Sequence, residues 1–197
     1  MKKKTLIISG ILLLAVVAIF TLGVTAPPES VERAGISGST VDLDSESKQV
    51  SSTAPYNKEA STFNFEGFGP GKSHLATFDE ITINIEKDKE SNIIGLQGTI
   101  NPSSVNTGIE RLDTHLKTNQ FFNVEKYPEI TFKSKEIKDG IMSGDLTFLG
   151  VTKTIDFPVE ITKEAIVADF VLDTAQFGAD FGKFANPEVR ISFNLRE

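Results

Sequence analysis

The chain has 197 residues, 39% of them hydrophobic, a formal net charge of −7 and no cysteine. That length suits one domain with one core, and the missing thiols exclude disulfides, thiolate catalysis, cysteine-held metal and lipid attachment through cysteine. The acidic balance makes nucleic acid and anionic membrane surfaces poor partners.

Lys2, Lys3 and Lys4 precede an uncharged stretch from Thr5 to Ala26 rich in Leu, Ile, Val and Ala. At about 1.5 Å per residue this stretch reaches roughly 33 Å, enough to cross a bilayer core and longer than the roughly 7 to 15 apolar residues of a cleavable leader. Residues 1–26 are therefore read as a signal anchor: a single transmembrane segment with its positive charges inside and residues 27–197 on the extracytoplasmic face of the cell membrane. Val24-Thr25-Ala26 is small enough to serve as a cleavage site, and cleavage would give a secreted or periplasmic protein instead. The exported remainder, with 17 basic and 27 acidic residues, carries −10.

Residues 27–60 are Pro, Ser, Thr, Glu and Gly with scattered single aliphatics, as in Ser51-Ser52-Thr53-Ala54-Pro55. Such a composition buries little surface and reads as a flexible linker. The domain proper is expected over 61–197. From Ser61 apolar residues fall at every second position, the period of a strand with one buried face. Phe63 and Phe65 begin the series, Ile81, Ile83 and Ile85 continue it, and Ile130 with Phe132, then Leu146 with Phe148, follow. Ile155, Phe157, Val159 and Ile161 share a face, as do Ile166, Ala168, Phe170 and Leu172, and Val189, Ile191, Phe193 and Leu195 close the chain. With Ser73–Phe78 and Asn92–Ile100 there are about nine strand candidates, and Asp139-Gly140 marks a hairpin turn.

One segment breaks this period. Thr107-Gly108-Ile109-Glu110 has the form of a capping box, and Ile109, Leu112 and Leu116 follow at helical spacing. Strands in series with one short helix suit an all-β, antiparallel barrel or sandwich, and the barrel is favoured because closure removes exposed strand edges.

The two histidines, His74 and His115, stand far apart in sequence, with no metal-ligand spacing, Gly-x-Ser-x-Gly elbow or phosphate-binding glycine loop. No enzyme, metal or covalent cofactor is expected. On the helix Arg111 and His115 are four residues apart: a solvated surface pair, or a polar handle at a barrel mouth. Fifteen Phe with no Trp suit either a packed core or a dry cavity.

The pieces Ser104–Gly108, Arg111–Lys117, Phe121–Pro128 and Ile130–Ser134, extended by Gly144–Lys153, Phe177-Gly178 and a closing strand from Glu188, resemble the YceI family in order and spacing. The resemblance implies an extended antiparallel, lipocalin-like barrel of about eight strands whose elongated cavity binds an isoprenoid lipid, such as a quinone or another polyprenyl compound. Binding and sequestration or transport are implied rather than catalysis. Under it, Phe63, Phe65, Phe121, Phe122, Phe132 and Phe148 become expected tail contacts. Phe157, Phe170 and Phe193 join them, with Leu112 and Leu116 from the helix, while Arg111 and His115 become head-group contacts. The alternative is a packed-core domain that recognises another envelope protein, and a homodimer is left open. Two regions depart from the family pattern: the Gly67–Gly71 turn interrupts the first strands, and residues 173–187, with Phe177, Phe181 and Phe184, form a short loop placed to close one end.

Overall fold

The computed structural model describes residues 23–37 and 50–197. Among them are thirteen strands and one α-helix: β1 (Gly35–Ile36), β2 (Ser52–Pro55), β3 (Thr62–Gly69), β4 (Lys72–Phe78), β5 (Ile81–Lys87), β6 (Ile93–Ile100), β7 (Val105–Asn106), α1 (Glu110–Lys117), β8 (Ile130–Lys138), β9 (Ile141–Phe148), β10 (Val151–Pro158), β11 (Glu160–Ile161), β12 (Ala165–Asp173) and β13 (Glu188–Arg196). The long strands are those that the period-2 pattern marks. The rest are two- to four-residue pieces at sheet margins.

These strands form two antiparallel sheets, β1-β10-β9-β8-β6-β5-β2 and β11-β12-β13-β3-β4-β7. Side chains alternate as a half-buried strand requires: Met142, Leu146 and Phe148 of β9, and Phe193 and Leu195 of β13, face the interior. The facing layers share one apolar core that includes Ile85, Met142, Ile155, Ile166 and Phe177. Tight turns set the register. Asp139 and Gly140 have φ of 51° and 78°, the two positive values of a primed hairpin turn, and Leu149-Gly150 repeats the geometry at 49° and 74°.

The all-β, antiparallel architecture with one short helix is as expected, while closure into a barrel is not drawn by strand ladders. Among the described residues no ladder joins the two sheets edge to edge. The free edge of β10 is taken by β1, where Gly35 pairs with Asp156 and Ile36 with Ile155. The same segment reaches across to β12: Val171 donates to the Glu32 carbonyl at 2.8 Å, and Ala34 donates to the Val171 carbonyl at 2.8 Å. Arg33 adds an ion pair with Glu188 at 2.8 Å. Residues 32–37 thus lie across the seam that strand pairing would otherwise close.

This also corrects the reading of 27–60 as a flexible linker. Two parts of it are built into the sheets, residues 32–37 and β2, which pairs with β5 from Ser52 to Pro55. Backbone hydrogen bonds carry both attachments, and these need no apolar side-chain period. Most of the expected anchor lies outside the described residues, and no helix among those described is long and apolar enough to cross a membrane. Its last residues are extended rather than helical: Val24 bridges Pro70, and Thr25 donates to the Gly69 carbonyl at 2.9 Å.

Candidate functional site

Between the sheets lies a cavity of about 380 Å³, within the range of roughly 300 to 1,000 Å³ usual for ligand sites. Its walls are the alternate, inward residues of the long strands. Phe63 and Phe65 come from β3, Phe132 from β8, Leu146 and Phe148 from β9, and Ile155 and Phe157 from β10. Phe170 and Leu172 of β12 and every second residue of β13 from Val189 to Leu195 complete them. Val189 to Leu195 is six steps, about 20 Å at roughly 3.3 Å per strand residue, so the cavity is long in one direction.

Ring-to-ring contacts hold this wall in shape. Phe157 stacks on Phe170 at 4.4 Å and meets Phe132 at 5.5 Å, while Phe63 lies parallel to Phe193 at 6.1 Å. Phe65, Phe78 and Phe122 form a second group, with centroids 5.1 to 6.0 Å apart. Gly144 makes room for one of these rings: a methyl group there would come within 2.7 Å of the Lys133 carbonyl and meet the Phe132 ring.

Helix α1 lies against the cavity, with Leu112, His115 and Leu116 among its lining. The expected capping box does not form. Its N-cap is Ile109, without a side-chain cap. Instead Asp113 reaches back and accepts from the Thr107 amide at 2.8 Å and the Thr107 hydroxyl at 2.6 Å. Asp113 therefore fixes the entry to the helix and is occupied there. After the helix the chain folds back. Phe121 donates to the Thr118 carbonyl at 3.0 Å, Phe122 to the Leu116 carbonyl at 3.0 Å, and Asn123 turns at φ 47°. Both aromatic side chains thereby enter the cavity wall.

One end of the cavity meets the surface. Of the lining residues only Pro70 and Phe184 are exposed, Phe184 to 47%. Around them stand Gly69, His74, His115 and Asn186. The His115 ring sits edge-on to Phe121 at 4.9 Å and to Phe184 at 6.4 Å, and Phe121 stacks on Phe181 at 5.0 Å. Loop 173–187, expected to close an end, supplies Phe181 and Phe184 to this rim. Phe177 is buried instead against Phe148.

Twelve of the thirteen residues expected from sequence line this single cavity. Arg111 does not: it is exposed and lies outside the lining, so the pairing of Arg111 with His115 as a joint polar handle is not what the helix presents. A spacing of four residues leaves the two side chains some 40° apart around a helix, enough on a helix of eight residues to put one inside and one out. His74 is the rim residue that sequence reasoning passed over as a recognition group. It lies inward on β4 with Ala76 and Phe78, the same alternation that marked other strands. Burial pushes its imidazole below the ordinary histidine range, and the charge of Lys72 adds to that effect. Neither histidine ring makes a hydrogen bond to a described residue, so each has a polar nitrogen free for a ligand at the rim. Among the described residues no cluster of three or more metal-ligating side chains occurs.

A family model described as the YceI-like domain matches residues 42–196. A UPF0312 protein of Staphylococcus aureus is 36% identical over 85 residues, 43% of this chain and 50% of that protein, so the chain spans about half the length of the curated relatives it matches. Among solved structures, Burkholderia cenocepacia BcnA superposes with a TM-score of 0.64 at 19% identity, covering 71% of this chain and 98% of BcnA. A polyisoprenoid binding domain from Saccharophagus degradans, implicated in plant cell wall breakdown, gives 0.55 at 18% identity, covering 72% of this chain and 95% of that domain. These likenesses establish the fold.

Proposed function

From the premise that this chain belongs to the family of YceI-like domains, we propose that it binds an isoprenoid lipid by burying the tail between its two sheets, outside the cytoplasmic membrane. The observation that carries this reading is the cavity itself: about 380 Å³ of space walled mostly by Phe, Ile, Leu and Val. A packed-core recognition domain would have filled that volume with its own side chains. The likeness to a polyisoprenoid binding domain supports the same ligand class.

The polar groups are few and sit where a head group would. With the tail inside, His74 and His115 at the rim can donate a hydrogen bond to a carbonyl or hydroxyl oxygen, as a quinone or polyprenol would offer. Catalysis on the lipid has no support from the geometry. The carboxylate nearest His115 on its own helix, Asp113, is committed to Thr107.

The test is to express the full chain with its own N-terminus, purify it, extract it with solvent and identify the released lipid by mass spectrometry. A stoichiometric prenyl compound is expected. Ala76→Trp places a large side chain in the cavity wall, since Ala76 is 4% exposed and lines it. That variant should retain its fold by circular dichroism and lose the lipid. Equal recovery from both proteins would refute the site.

A further inference from the structure

The cavity opens at the point where the chain enters the domain. Thr25 donates from its backbone to the Gly69 carbonyl at 2.9 Å and from its hydroxyl to the Gly69 and Lys72 carbonyls, both at 3.1 Å. Gly71 donates to the Gly23 carbonyl at 3.2 Å, Asn186 donates from its side chain to the Thr25 carbonyl at 3.3 Å, and Val24 bridges Pro70. Gly69, Pro70 and Asn186 are themselves cavity-lining residues. Residues 23–25 are therefore stitched to the rim.

Immediately before them, residues 5–22 are uncharged and almost wholly apolar. Three residue steps lead from Leu22 to Thr25, at most about 10 Å of fully extended chain. Wherever the apolar run ends, the mouth of the cavity lies within that reach. The rim is also furnished as a membrane-facing surface would be. Phe184 is 47% exposed, the Lys183 ammonium lies 6.0 Å from its ring centroid, and Lys72 stands beside the turn that Thr25 grips. An apolar ring flanked by flexible cations suits the head-group boundary of a bilayer, where the ring is buried and the ammonium groups remain in water. Residues 27–197 as a whole, at −10, have no general attraction to an anionic surface, so the tether and not long-range charge sets this orientation.

We propose that the rim around Pro70 and Phe184 rests on the lipid bilayer that holds residues 5–22, so that a lipid tail passes from membrane to cavity without crossing water. This rests on reading residues 5–22 as an anchor and the cavity as a lipid site. The rim is then a docking surface whose partner is the outer leaflet. The opposite end of β12, at Ala165, lies about 26 Å along that strand from Asp173, and Lys163 precedes it by two residues.

Because the chain has no cysteine, one substitution gives one labelled thiol. Full-length K183C and K163C, each carrying an environment-sensitive fluorophore, are reconstituted in phosphatidylcholine vesicles containing one-fifth phosphatidylglycerol and a nitroxide-labelled lipid. The fluorophore at 183 should be quenched at least fivefold more strongly than the one at 163. Equal quenching overturns the proposal, as does recovery of the protein free of the vesicles. A second variant carries ten Gly and Ser residues inserted after Leu22. Its uptake of lipid from vesicles should slow several-fold while its final occupancy stays that of the parent; an unchanged rate also overturns the docking. Occupancy is read by extraction from the same samples. Bound lipid together with equal quenching removes only the membrane docking, whereas no bound lipid with unequal quenching removes only the cavity reading.

Discussion

Affinity should rise with the length of the isoprenoid tail and then stop rising, and the stopping point can be worked from the walls. The inward residues of β13 from Val189 to Leu195 span about 20 Å. One prenyl unit adds four backbone carbon bonds of about 1.5 Å, or about 5 Å along an extended chain. Roughly four units therefore fill the cavity. Each unit transfers five carbons out of water, about 4 kcal/mol gross at about 0.8 kcal/mol per CH₂. Immobilising its rotatable bonds takes back a large part, leaving about 1 to 2 kcal/mol, or about 5- to 30-fold in Kd for each added unit. A series of benzoquinones with one head group and one to six prenyl units, measured by isothermal titration calorimetry, should give this slope up to about four units and little change beyond. Equal affinity for one and four units would refute burial of the tail. An undiminished rise from four to six would show that the chain runs past Leu195 and that the cavity length is wrong.

Three further outcomes follow from particular contacts. Gly144→Ala drives a methyl group into the Phe132 ring and the Lys133 carbonyl, and should lower unfolding stability by about 1 to 3 kcal/mol, read from urea titration. Asp113→Ala removes the acceptor of both Thr107 bonds at the start of α1; a loss of about 1 kcal/mol is expected, with faster lipid release because this helix walls the cavity. His74 has its folded-state value depressed by burial and by Lys72, so the unfolded chain takes up the proton first. Stability should be insensitive to this residue above about pH 6.5, fall as the pH drops below that value, and level off once it passes the depressed folded value. Thermal melts of His74→Gln should lack this component.

The main strands were legible because half-buried strands write their geometry into the sequence. Ile81, Ile83 and Ile85 alternate along β5, and Val189 through Leu195 alternate along β13, and no other local structure has that period. Asp139-Gly140 was legible because both residues tolerate positive φ. Leu149-Gly150 makes the same turn without the same signal: Leu149 sits at φ 49°, where a leucine is unusual. The seam crossing by residues 32–37 left no trace in composition, since main-chain amides make it. In the site, strand phase marked which strand Phe residues face inward, and the resemblance to the YceI family marked them, with Phe121 and Phe122 of the loop, as cavity wall rather than packed core. The rim was not marked in this way, because it gathers residues from β4, α1 and the 181–186 loop, distant in sequence and united only by the fold. His74 shared its face with Ala76 and Phe78, so the signal was present but pointed to burial rather than recognition.

A void of this size bears on whether the cavity is functional or incidental. At roughly 24 cal/mol per Å³, an unfilled apolar cavity of about 380 Å³ costs up to about 9 kcal/mol, comparable to the whole stability of an ordinary domain, about 5 to 15 kcal/mol. Opening at the rim lowers that figure but does not remove it, because of the lining residues only Pro70 and Phe184 are exposed. The chain has large side chains in abundance, with 15 Phe, yet keeps Gly98 and Ala76 among the lining residues. Larger apolar side chains there would occupy part of the space. Polar holding interactions are meanwhile placed on the outside, where Arg190 binds Asp169 at 2.6 Å, Lys135 binds Asp145 at 2.6 Å and Arg33 reaches Glu188. Such exposed pairs contribute little each, so they do not offset the void. Under the proposed function an apolar tail in the cavity would regain the lost contacts and link lipid binding to folding, so the domain should melt at a higher temperature loaded than empty, and equal melting temperatures would count against that reading.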